Sequence, residues 1–256
     1  MFRPRIIPVL LLRNKGLVKS IRFNKHRYIG DPINAVKIFN DMKADELVFL
    51  DILASRERRT LSVDFVKDVG EEANMPFAVG GGINSIGDIK KLISAGAEKV
   101  IINTSAFINP DFIRQASEAF GSSTISVCID VKRTMFNKET IMIFAGTRKV
   151  RMTLEESVLL FENKGAGEII IQSIDYDGTM EGYDLHLIKR VSGLLTIPVV
   201  ALGGAGTLSH LSQAYFEANA SGLAAGSLFV YHGSRKGILI NYPDRNEIAT
   251  LFSGHS

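Results

Sequence analysis

The chain has no second cysteine. Cys128 stands alone among 256 residues, which excludes an intrachain disulfide and a cysteine-ligated metal cluster, fits a reducing cytoplasm, and leaves a small buried hydrophobe as its plainest role. The five histidines, His26, His186, His210, His232 and His255, lack metal-ligand spacing. Surface or capping positions suit them better, so no metal and no cofactor is expected. No apolar run approaches the length of a membrane span. Ile6 to Leu12, behind Arg3 and Arg5, imitates a signal peptide, but the run is short, contains Pro8, and leads into Arg13-Asn14-Lys15 instead of a small-residue cleavage site. A cytoplasmic chain without membrane contact is the expectation. A strong charge of one sign is lacking as well. Thirty basic residues against 27 acidic ones leave a net +3, too mild to imply nucleic acid and compatible with a small anionic ligand.

Apolar residues make up 46% of the chain, enough for one large core, and a parallel barrel of about 250 residues routinely forms a single domain. One domain spanning residues 1–256 is therefore expected. Short Ile- and Val-rich runs alternate with amphipathic stretches of helical spacing, the pattern of repeated βα units. The predicted strands are Ile6 to Leu12, Leu47 to Ile52, Phe77 to Val79, Val100 to Asn103, Ile125 to Val131, Ile169 to Ile174, Pro198 to Leu202 and Gly222 to Ala225. The predicted helices are Pro32 to Met42, Ser62 to Ala73, Ser85 to Ala95, Pro110 to Phe120, Thr153 to Lys164, Leu185 to Leu194, Leu208 to Ala218 and a weaker one near Pro243 to Phe252. Eight such units close most simply into an α/β (β/α)8 barrel, with an open doubly wound sheet as the alternative.

The chain also repeats itself. Glu46-Leu47-Val48-Phe49 recurs as Glu168-Ile169-Ile170-Ile171, the turn at Gly80 recurs at Gly203, and Ile102 to Phe107 recurs as Ala224 to Phe229, all about 122 residues apart. Two similar half-barrels are implied. Both glycine turns, Gly80-Gly81-Gly82 and Gly203-Gly204-Ala205-Gly206, follow a buried strand and precede a helix that Asn84 or Ser85, and Thr207, could cap. Strand, glycine turn and helix start together suit a phosphate. Asp177-Gly178, Gly203-Gly204 and Gly226-Ser227 lie on consecutive loops and form one candidate phosphate set. Gly82, Asn103 and Thr104 form its mirror, although any single glycine is equally an ordinary turn.

Other residues invite chemical readings. Asp130 ends the fifth strand, where a barrel carboxylate reads as general acid or base, against a structural partner for Lys132 or Arg133. Superposing the halves sets Leu11 opposite it, so the pair that could share protons is incomplete. Arg13 to Asp31 is a long basic loop read as lacking structure of its own, either a ligand-covering lid or a solvated surface loop. Thr134 to Thr153 reads as a β-hairpin turning at Ala145-Gly146. Arg5, Glu46, Lys99 and Glu168 begin strands with alternating sign. Charges there normally face water; turned inward they would ring the bottom of the barrel, a costly arrangement unless something polar passes through.

With these residues in view, the chain resembles the cyclase subunit of imidazole glycerol phosphate synthase. The matching segments include Asp45 to Asp51, Val79 to Ile83, Lys99 to Asn103, Asp130-Val131-Lys132-Arg133, Gly165 to Glu168, Ser173 to Thr179, Gly182-Tyr183-Asp184 and Gly203 to Gly206. The resemblance implies a (β/α)8 barrel that takes ammonia from a glutaminase docked at its N-terminal face. It implies that Arg5, Glu46, Lys99 and Glu168 gate the ammonia. Two phosphate sites are implied at Gly82, Asn103 and Thr104 and at Asp177, Gly178, Gly203, Gly204, Gly226 and Ser227, with Lys19 as a lid lysine. It implies two catalytic aspartates, of which Asp130 is the second, whereas the first falls on Leu11. Leu53 and Gln172 stand where the family has threonine, and Leu202 where it has serine. These departures resemble a divergent branch that, with its glutaminase, supplies ammonia to a separate sugar amidotransferase making acetamidino sugars of surface polysaccharides. The alternatives are a functioning cyclase subunit in histidine biosynthesis, and another phosphate-binding barrel isomerase or a scaffold.

Overall fold

The computed structural model describes residues 3–135, 138–233 and 235–253. His255, and Phe136 and Asn137 of the predicted hairpin, lie outside them. Eight parallel strands form the barrel: β1 (Arg5–Arg13), β2 (Leu47–Asp51), β3 (Phe77–Gly80), β4 (Lys99–Ile102), β5 (Ile125–Arg133), β6 (Glu168–Ser173), β7 (Val199–Leu202) and β8 (Gly222–Ala225). Each pairs with the next, and β8 returns to β1 through Arg5↔Gly222 to Pro8↔Ala225. The barrel therefore closes, and no parallel edge is left open.

Alternation along each strand separates two apolar layers. In β1, Ile6, Leu10 and Leu12 belong to the outer core beneath the helices, while Ile7 and Val9, with Leu11 beside them, face the barrel interior. Interior positions on the other strands are filled by Val48, Ala78, Ile101, Cys128, Ile170, Val200, Leu202 and Ala224. A strand buried on both faces must be apolar on both, which is why these runs show so little polar alternation.

The helices α1 (Pro32–Asp41), α2 (Val63–Glu72), α3 (Ile86–Ser94), α4 (Asp111–Phe120), α5 (Leu154–Asn163), α6 (Leu185–Ser192), α7 (Leu208–Ala218) and α8 (Arg245–Phe252) cover the strands. Their starts follow side-chain chemistry. Ser85 Oγ accepts from the amide of Asp88 at 3.1 Å, and Thr153 with Glu156 makes a reciprocal capping box. Thr207 departs from expectation. It sits at the cap of α7, but its hydroxyl hydrogen-bonds Ser209 Oγ at 2.8 Å and makes no cap bond.

Three further departures concern the loops. The 13–31 segment is not structureless: Gly16–Ile21 and Asn24–Gly30 are antiparallel strands, the first of them folded back along β1 through Leu11↔Val18. A short helix, Thr104–Ile108, follows β4 directly, and Tyr231–His232 pairs with Gly237–Ile238. The hairpin after β5 is present, with Glu139–Ile143 antiparallel both to β5 and to Arg148–Lys149.

Phe161 on α5 is fully buried and meets Phe107 edge-on at 4.9 Å between ring centroids. Phe161→Ala is expected to lower the unfolding free energy by about 3–5 kcal/mol, read as a lower urea midpoint at unchanged slope. A loss below about 1 kcal/mol would show that this layer repacks freely.

Candidate functional site

At the N-terminal end of the barrel, the four charges at strand starts turn inward. The Arg5 guanidinium bridges Glu46 through Nη1 and Glu168 through Nη2. Lys99 Nζ lies 3.1 Å from Glu46 Oε1 and 3.9 Å from Glu168 Oε2, and Ser126 Oγ donates to Glu168 Oε1 at 3.1 Å. Glu46 is 3% exposed and Glu168 7%. The water-facing expectation for these residues therefore fails. Burial pulls the Arg5 pKa down, but the charges of Glu168 and Glu46 outweigh it and hold the group above its ordinary value.

Above the ring lies a void of about 10 Å³, lined by Glu46 and Glu168 below and by Ile7, Val48, Ile170, Val200 and Ala224 around it. That is room for about one water-sized molecule. Val9, Leu50, Ile101, Cys128 and Leu202 line both this void and the large cavity beyond, so a single layer of side chains separates the two.

The large cavity, about 210 Å³, opens at the C-terminal ends of the strands, the face on which barrels of this kind carry their ligand sites. Lys19, Gly82, Asn103, Thr104, Asp130, Asp177, Gly178, Gly203, Gly204, Gly226 and Ser227 all line it. Gly82 (φ +65°) and Gly204 (φ +116°) hold conformations that L side chains rarely adopt. A Cβ would overlap the carbonyl oxygen of Arg59 at the first and of Gly182 at the second. Backbone alone fits at these turns, which leaves their amides open to a ligand.

Three ionisable groups, Asp130 and Lys19 buried and Asp177 half-buried, share the floor. Asp130 is 8% exposed; its carboxylate accepts from Asn103 Nδ2 at 3.3 Å and from the Cys128 thiol at 3.5 Å. Burial pushes its pKa up to about 7, the Cys128 bond works against that, and the Asp177 charge adds to it. Neither Lys132 nor Arg133 serves as its partner: Lys132 is exposed, and Arg133 pairs with Asp184 at 2.7 Å. Asp177 accepts from Ser20 Oγ at 2.7 Å, from Gln172 Nε2 at 3.3 Å and from the amide of Phe23 at 3.4 Å. Its pKa is raised by burial despite these bonds and the nearby Lys19. Lys19 donates to the carbonyl of Val9 at 2.6 Å, and burial lowers its pKa to about 8 against the pull of Asp177. It remains mostly protonated at neutral pH.

Position 11 contributes nothing ionisable. Leu11 lies beside Leu50 in the strand register, and with Leu50, Leu53 and Leu202 it gives the cavity an apolar lining. Arg13, Ser20, His26, Arg56 and Cys128 also line the cavity, and no sequence motif marks them as site residues. Ser20 could not have been found from sequence, because its bond to Asp177 exists only once the first hairpin folds across to the loop after β6.

A closed parallel barrel whose large cavity sits at the C-terminal mouth puts the chain among the (β/α)8 proteins. The histidine biosynthesis protein family matches residues 5–236, and the chain belongs to that family, with the HisF-like imidazole glycerol phosphate synthase subunits. A relative from Leptospira borgpetersenii, provisionally named imidazole glycerol phosphate synthase subunit HisF, is 45% identical over 253 residues, covering 98% of this chain and all of the relative. A relative from Vibrio vulnificus, provisionally named as subunit hisF3 of the same synthase, is 42% identical over 248 residues, 96% of this chain and 95% of the relative. The subunit HisF of Alkaliphilus metalliredigens is 40% identical over 232 residues, 91% of this chain and 92% of that one.

The buried Asp130 has a pH signature. Because its folded-state pKa lies near 7 rather than 3.8, the folded chain keeps a proton that the unfolded chain releases, so stability falls as pH rises across that window. Asp130→Asn is expected to be more stable than wild type by about 2–4 kcal/mol above pH 7 and equal to it below about pH 4, by urea unfolding. A difference independent of pH would contradict the assignment.

Proposed function

We propose that this chain is the ammonia-conducting barrel of a glutamine-dependent amidotransferase. A glutaminase subunit docks at the N-terminal face, and ammonia passes the ring of Arg5, Glu46, Lys99 and Glu168, crosses the apolar void, and emerges in the C-terminal cavity. A separate sugar amidotransferase consumes it to make an acetamidino sugar for a surface glycan. The observation that carries this reading is the intact charged ring at one end beside a leucine, Leu11, at the other. Uncharged ammonia is about the size of water, which the void admits, while the apolar lining beyond disfavours ammonium. The relatives' names describe subunits, which supports a partner.

In the same reading, Asp130 is the one catalytic carboxylate left of the two that the family resemblance calls for. Lys19, the Gly82, Asn103 and Thr104 set, and the Asp177, Gly178, Gly203, Gly204, Gly226 and Ser227 set hold a phosphorylated small molecule. Residues 1–256 act as one domain. A positioned acid or base typically contributes about a hundred- to ten-thousand-fold in rate, so cyclisation with Asp130 alone should be slower by that order. The second reading, an active cyclase subunit in histidine biosynthesis, draws on Asp130, whose pKa of about 7 suits proton transfer at neutral pH, and on the match to a synthase subunit over 91% of the chain.

The purified chain mixed with its glutaminase is expected to show no measurable cyclisation of the histidine-pathway intermediate, assayed as imidazole glycerol phosphate formed. Robust turnover would establish the second reading instead. Leu11→Asp alone is not expected to restore turnover, since Leu53, Gln172 and Leu202 also depart from the family pattern. Recovery in that single variant would show that position 11 accounts for the whole loss.

A further inference from the structure

Two arginines and a histidine gather at the rim of the large cavity with no ion pair to an acid among the described residues. Arg13 ends β1, His26 lies on the second strand of the first hairpin, and Arg56 sits in the loop after β2; all three line the cavity. Some of their basic neighbours have other partners. Arg59 is neutralised by Asp51 at 2.5 Å and Glu57 at 2.7 Å. Arg22 Nε donates to the carbonyl of Asp175 at 3.0 Å, and Arg27 lies over the Tyr231 ring at 5.8 Å. Among the described residues, Arg13, His26 and Arg56, unlike Arg59, take part in no ion pair. His26 lies in the field of both arginines: burial, Arg13 and Arg56 all disfavour a proton on it, and only Asp177, deeper in the cavity, favours one.

We propose that Arg13, His26 and Arg56 form an anion subsite at the cavity rim, separate from the two glycine cradles, that takes a phosphate-class group of the bound ligand. The two guanidiniums, one at the end of β1 and one in the loop after β2, disfavour further positive charge between them, and an anion there would be attracted by both. Two guanidiniums present planar donor forks that match phosphate oxygens two at a time, which a pair of lysines would not. The site faces outward, so it suits a charged group near the mouth, whereas the buried Lys19 serves the floor. The inference rests on reading the cavity as the site of a phosphorylated ligand and is independent of ammonia conduction.

The test is calorimetric titration of the full chain with inorganic pyrophosphate and, separately, with orthophosphate, at low and at physiological ionic strength. Arg13→Gln/Arg56→Gln is expected to weaken pyrophosphate binding about tenfold or more. Arg58→Gln, which removes an exposed arginine of the same loop outside the cavity, should stay within about twofold of wild type. Circular dichroism melts confirm that each variant is folded. Unchanged pyrophosphate affinity in the double variant would overturn the rim subsite while leaving the cradles in place. An equal loss in Arg58→Gln would overturn it in favour of a diffuse surface field. A wild-type chain that binds neither anion would overturn both the subsite and the phosphate reading of the cavity.

Discussion

The ring of Arg5, Glu46, Lys99 and Glu168 depends on barrel closure. Its members come from β1, β4 and β6 and from the residue just before β2, and they meet only because closure fixes the register of those strands. Arg5 lies level with Gly222 on one side, and Glu168 with Ser126 on the other. Desolvating four charges is expensive, and removing one partner would leave the others buried and uncompensated. A leucine or valine layer would have closed this end with less penalty. The ring therefore sets a constraint that the fold satisfies but does not require.

The opposite end shows the reverse economy. The polar groups of the floor are linked: Asp130 feels Asp177, Asp177 is held by Ser20 and Gln172, and Lys19 spans from the Val9 carbonyl toward the same carboxylate. Asp177 is the group that links them: its charge acts on both Asp130 and Lys19. Leu11 lies outside this network. On the proposed reading, the floor handles one ligand's charge with one cation and two partly neutralised acids, and the work of carrying a second proton across the cavity has no residue assigned to it.

The barrel was readable because its strands must be apolar on both faces, and because the half-barrel repeat puts the same glycine turn at Gly80 and Gly203. The cavity residues were readable for a related reason. Gly82 and Gly204 occupy backbone conformations and close packing that admit no side chain, so the residue type itself records the geometry. The first hairpin was not. Its second strand, Asn24–Gly30, is polar and almost wholly exposed, so it carries neither strand alternation nor a core face, and pairing with Gly16–Ile21 alone defines it. The direction of the charged ring was equally hidden. A charge at a strand start points to water by default, and only the registers of four separated strands overrule that.

The most direct test follows the nitrogen. With the chain, its glutaminase and the sugar-amidating enzyme assembled, glutamine labelled with nitrogen-15 in its amide is supplied against an excess of unlabelled ammonium, and the amidino product is analysed by mass spectrometry. The account predicts product carrying the glutamine nitrogen undiluted, because ammonia passes from ring to cavity without reaching bulk solvent. Label diluted to the bulk ratio would contradict it.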